Sequence, residues 1–150
     1  FIAKRGILWA ILIISILGLP LTIYLTSLHY KPELSTFCNF SDQFNCDIVN
    51  KSVYAEIFGI PVAIFGFFTY ALFFVLTYSK LINKGKSKND KDRKLTKYLL
   101  IASSIGFLFS LYLSFLEAFV ILSWCIFCII SAVFVTIIFI LSMILWKKRQ

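Results

Sequence analysis

Residues 118–146 read AFVILSWCIFCIISAVFVTIIFILSMILW, a stretch with no charged side chain and with two thiols, Cys125 and Cys128, spaced C-x-x-C near one end. A helix rises about 1.5 Å per residue, so about 20 apolar residues cross a hydrocarbon core of about 30 Å. The stretch is long enough to span a membrane, and three other runs are of the same kind. The spans are read as roughly 6–28, 59–78, 98–122 and 124–146. Composition agrees: 60% of 150 residues are hydrophobic and 18% aromatic, with a mean hydropathy of +0.90, well outside the balance of a soluble globular domain. Spanning barrels read as alternating segments of about 10 residues, whereas these runs are continuous. The expected fold is an all-α integral membrane protein, one domain over residues 1–150 built as a four-transmembrane-helix bundle. An outer loop at 29–58 and a basic loop at 79–97 join its helices.

The first run follows Lys4 and Arg5, as a secretory signal would. Its apolar length exceeds a signal core and no A-x-A cleavage pattern follows it, so it is read as a helix.

Orientation is read from the basic residues. Lys4 and Arg5 precede the first span, eight Lys and Arg lie from Lys80 to Lys97, and Lys147, Lys148 and Arg149 follow the last; only Lys31 and Lys51 lie between the first two spans. Cytoplasmic loops carry the excess of Lys and Arg. Both termini and the 79–97 loop are therefore expected in the cytoplasm, and the 29–58 loop and the turn before Trp124 on the periplasmic or extracellular side. The net charge of +8 invites a nucleic-acid reading, but its confinement to one side is explained by topology and anionic lipid headgroups. No nucleic acid is expected as a partner. The run NKGKSKNDKDRK at 83–94 reads as a solvated, flexible loop. No P-loop, Rossmann glycine pattern, HExxH or GxSxG occurs, which leaves the cysteines as the chemical signal.

There are four, and all fall on the expected outer side: Cys38 and Cys46 within FCNFSDQFNC, Cys125 and Cys128 within WCIFC. Two structural disulfides are one reading of an even count in an oxidising compartment. Against it, a bridge across C-x-x-C closes so short a loop that it restrains the unfolded chain little. A helix N-terminus instead favours a thiolate at Cys125 and hence exchange chemistry. A four-cysteine metal site is the third reading; the C-x₇-C spacing of the first pair and the lack of a neighbouring His weigh against it, and no metal is expected. His29, the single histidine, is read as an interfacial cap. Redox cycling is favoured, and a membrane-dissolved quinone suits the need for a non-protein acceptor of two electrons.

The arrangement resembles the vitamin K epoxide reductase (VKOR) family in its bacterial and archaeal branch, without a fused thioredoxin-like domain. The resemblance covers nearly the whole chain: four spans, Cys38-x₇-Cys46, Ser52 six residues later, SVYAEIFGIPVAIFG leading into the second span, YLSFLE in the third and WCIFC opening the fourth. The other disulfide-generating four-helix family, typified by DsbB, carries its C-x-x-C ahead of the second pair, the reverse of the order here. The resemblance implies a membrane thiol–quinone oxidoreductase that reoxidises a separate thioredoxin-fold, DsbA-like protein and so supports disulfide formation in exported proteins. By the same resemblance, Cys38 takes electrons from the partner through a mixed disulfide, Cys46 attacks Cys125, and Cys128 passes the electrons to the quinone.

Animal members carry a longer segment before the second span with an Asn near the quinone, and a Tyr four residues after the last cysteine. Here Val62 and Ala132 hold those positions. Ubiquinone or menaquinone is therefore expected over vitamin K epoxide, with a vitamin K-type quinone as the alternative. Glu117, an acid in an apolar run, is a functional candidate by default or a hydrogen-bonded residue of the bundle. Ser52 supports the quinone pocket or caps the segment leading into the second span. Tyr54 and Trp124 are read as interfacial anchors, with Tyr54 and Phe58 as a lid. The small residues Ala102, Gly106, Ser110, Ser114 and Ala118 form a ridge for close helix packing or a wall of the quinone cavity. Pro61 suits a first helical turn.

Overall fold

A chain in hydrocarbon must satisfy every backbone N–H and C=O internally, and the apolar runs do so as helices. The computed structural model describes residues 2–30, 53–83 and 90–149. Helix α1 spans Ile2–Tyr30, α2 Val62–Ile82, α3 Asp90–Phe115 and α4 Ile126–Arg149. A π-helical segment, Leu116–Ile121, continues α3. Before α2 come a 3₁₀ turn at Val53–Ala55 and two short strands, β1 (Glu56–Ile57) and β2 (Ile60–Pro61). Among the described residues, four helices are long and apolar enough to cross a membrane: Lys4–Tyr30, Val62–Ile82, Asp90–Ile121 and Ile126–Lys148.

The third of these begins eight residues before the expected start at Tyr98, so the last five residues of the 83–94 run taken as a loop are helix. Two causes are visible. Asp90 and Asp92 lie in the first turn of α3, where negative charge complements the exposed N–H groups. Lys80, only 6% exposed near the end of α2, donates to Asp92 Oδ1 at 2.8 Å and to Thr96 Oγ1 at 2.5 Å. This clamp ties the end of α2 to the start of α3. At about 1.5 Å per residue the 32-residue helix Asp90–Ile121 is about 48 Å long, so its charged first turns project beyond a core of about 30 Å.

α1 packs along α2 and α3 along α4, and contacts of α1 with α4 and of α2 with α3 close the ring. One core cluster joins Leu8, Ile11, Tyr70, Phe73, Leu99, Val135 and Ile138. A smaller one gathers Leu25, Leu28 and Cys125. Large apolar side chains such as Ile13, Ile23, Phe68, Ile105 and Leu108 stay exposed on the outer faces, as lipid contact requires. Gly18 is where α1 meets α2 closely: a Cβ there would lie 2.5 Å from the Tyr70 ring.

The strands form an antiparallel hairpin pairing Glu56 with Pro61 and Ile57 with Ile60. Its turn, Phe58-Gly59, has positive φ at both residues, 54° and 79°, the twist that two-residue hairpins favour. Pro61 is the N-cap of α2 rather than a residue of its first turn; its missing N–H costs nothing at that position.

Candidate active site

The π segment ends at Leu122, which takes the left-handed conformation at φ 57°. The chain then turns through Ser123 and Trp124 to Cys125, immediately before α4. Cys125 stands at the N-cap: its carbonyl accepts the first helical bond, from Ile129 N–H at 2.9 Å, and its Sγ accepts from Cys128 N–H at 3.3 Å. The thiol thus occupies the place that a Ser or Asp oxygen takes in ordinary caps. It is fully buried against Leu25 and Leu28.

Glu117 closes the other side of the pair. Its side chain is buried, 5% exposed, and Oε2 accepts from Cys125 N–H at 3.4 Å. Glu117 belongs to the π segment, whose wider turn places Leu116 and Glu117 side by side in the interior. Such insertions recur at functional sites.

All four helices and the hairpin wall one cavity, whose empty space, counted out into the open mouth, is about 1080 Å³. Leu25, Phe65, Phe109, Leu113, Ile121 and Val135 make it largely apolar, and Cys128 and Glu117 line it. Opposite the aromatic side chains, Tyr70 OH donates to the Ser131 carbonyl at 3.1 Å and lies 3.0 Å from Ser131 Oγ. The hydroxyls of Thr22 and Thr69, also on the wall, bond instead to carbonyls of their own helices. At the mouth His29 Nε2 pairs with Glu56 Oε1 at 2.7 Å, joining the end of α1 to the hairpin.

The structure therefore brings together Cys125, Cys128, Glu117, Ala132 and Tyr54, the first as the buried neighbour of the second and the others on the cavity wall. Val62 is on the wall too. Phe58 is not: it sits at the hairpin tip, 99% exposed, because the left-handed turn points it away from the bundle. Cys38, Cys46 and Ser52 lie outside the described residues. Of the small-residue ridge, Gly106, Ser110 and Ser114 line the cavity, whereas Ala102 packs against the main core. Sequence pattern passes over Tyr70 and Ser131. Ser131 was readable, since three residues after Cys128 shares its helix face. Tyr70 stands out only as a hydroxyl in an apolar run, which needs a partner when buried. His29 is more than a cap, since it also lines the cavity.

No curated protein matches the chain. The profile of the Vitamin K epoxide reductase family matches residues 9–143, a span that takes in the cavity, Glu117 and the whole C-x-x-C pair. The chain therefore belongs to the vitamin K epoxide reductase family and is a multi-pass membrane oxidoreductase.

Proposed function

We propose that the chain is a thiol–quinone oxidoreductase that reoxidises a thioredoxin-fold partner and thereby sustains disulfide formation in exported proteins. The observation that carries this reading is the asymmetry of the C-x-x-C pair: Cys128 is on the wall of an apolar cavity, while Cys125 sits behind it at the helix start. A quinone is a flat apolar ring with two carbonyl acceptors, and the cavity offers what such a ring needs. Phe65, Phe109, Leu113 and Val135 supply apolar surface. The Tyr70–Ser131 pair holds two hydroxyl protons; when Tyr70 donates to Ser131 Oγ in place of the Ser131 carbonyl, the Ser131 proton turns to a quinone oxygen. Ser131 is one helical turn from Cys128, which puts donor and sulfur about 5–6 Å apart at their Cβ atoms. Bound there, a quinone supplies the sink for two electrons and two protons.

The residues of the chain do the rest. Cys38 forms the mixed disulfide with the partner, whose second thiol resolves it; the freed Cys46 attacks Cys125, Cys38 then reclaims Cys46, and Cys128 delivers the electron pair as the Cys125–Cys128 disulfide re-forms. Val62 and Ala132 present only apolar atoms to the cavity, which favours ubiquinone or menaquinone over an epoxide that needs polar grips.

The deciding experiment gives the purified protein a reduced thioredoxin-fold protein and a soluble quinone analogue, and follows the quinone absorbance. Turnover that stops in Cys128→Ser, with Cys46 trapped on Cys125 in non-reducing peptide maps, supports the relay. Cys38→Ala that oxidises the partner at the wild-type rate refutes it.

A further inference from the structure

Closing the Cys125–Cys128 disulfide requires both thiols to give up a proton inside an apolar cavity. Among the described wall residues the titratable side chains are His29 of α1, Tyr54 beside the hairpin, Tyr70 of α2, Glu117 of the π segment and Cys128 of α4; no Asp, Lys or Arg lines it. His29 is engaged with Glu56, Tyr70 with Ser131. Glu117 reaches the reacting pair, holding the Cys125 N–H on Oε2 at 3.4 Å and lining the same cavity as Cys128. A backbone N–H is satisfied by any neutral acceptor, so capping alone does not account for an ionisable group kept 5% exposed in a membrane-spanning segment, where carboxyls are costly.

We propose that Glu117 is the proton acceptor for Cys128 and the station through which that proton reaches the electron acceptor. The proposal rests on the quinone reading above. In the step, the Glu117 carboxylate takes the proton of the Cys128 thiol, leaving a thiolate. As the S–S bond to Cys125 forms, the two sulfurs together lose two electrons and two protons. Electrons and protons end on the quinone, which leaves as quinol, one of the protons passing by way of Glu117, which returns to carboxylate.

Glu117→Gln separates this role from capping, because the amide oxygen still accepts from Cys125 N–H but cannot take a proton. Two measurements test it. With quinone analogue and reduced partner, kcat should fall about 100-fold or more, the usual scale of general-base loss, with KM for the quinone within about threefold and partial recovery in Glu117→Asp. Without quinone, the reduced protein is treated with iodoacetamide and alkylation of Cys128 is followed by mass mapping from pH 6 to pH 10. Loss of a neighbouring negative charge does not hinder the thiolate, so the variant should alkylate no more slowly than wild type across that range; a normal rate shows an intact cavity and a reachable sulfur. Unchanged kcat in a variant that alkylates normally overturns the proposal and leaves the quinone reading standing. Normal alkylation without quinone turnover in either protein overturns the quinone reading and the proposal with it.

Discussion

Three residues apart, Cys125 and Cys128 meet different surroundings, and each neighbour makes a distinct claim. Tyr70→Phe removes the hydroxyl that joins α2 to Ser131. One hydrogen bond is worth about 1 kcal/mol, so thermal unfolding in detergent should register a loss of that size. If the pair grips a quinone oxygen, KM for the quinone should rise about 2- to 10-fold with kcat nearly unchanged. Gly18→Ala carries no chemistry, yet its new Cβ would meet the Tyr70 ring at 2.5 Å. Overpacking of that kind costs about 1–3 kcal/mol, and the same unfolding assay should show it. The displaced ring would also disturb the cavity wall, so its quinone KM should move in the same direction as that of Tyr70→Phe.

Among the elements, the clamp between α2 and α3 yields an asymmetric expectation. Asp92→Ala leaves the buried Lys80 ammonium with Thr96 but without its carboxylate, and should destabilise by about 1–3 kcal/mol. Lys80→Met removes the buried charge itself and should cost less, since apolar replacements of buried ions are often neutral. The clamp also explains what the sequence concealed. Four apolar runs were legible because lipid demands about 20 such residues each, and the C-x-x-C pair was legible from its spacing. The first turns of α3 were not, since DKDRK outside the hydrocarbon carries no hydropathy signal and its helix depends on a lysine from another helix. Tyr70 and Ser131 escaped for a related reason: their bond joins residues 61 positions apart. The π segment, a local change of winding, has no counterpart in composition at all. The hairpin gives a further test. Phe58→Asn suits its positive φ better than Phe does, and should leave quinone KM unchanged, whereas Tyr54→Ala, on the wall, should raise it.

At the scale of the whole molecule, the clamp and the redox pair lie at opposite ends of α3, which begins at Asp90 and runs into the segment holding Glu117. From the distribution of Lys and Arg the clamp end is expected in the cytoplasm. A cysteine-free variant carrying Asn89→Cys should therefore resist a membrane-impermeant thiol reagent in intact cells and react after lysis. Labelling before lysis would place the native thiols in the reducing cytosol, where a disulfide-forming role fails.

The complete burial of Cys125 has an electrical meaning. An oxidising device immersed in small reductants leaks if any of them can discharge its disulfide directly. A sulfur with no surface offers such molecules nothing to strike, and additional chain laid over it only thickens the insulation. In the proposed relay, current enters through a sulfur that the protein itself carries to the contact, and leaves on the cavity side at Cys128. Glutathione should discharge the Cys125–Cys128 bond far more slowly than an exposed disulfide, so the conductor is sheathed along its length and bare only at its two terminals.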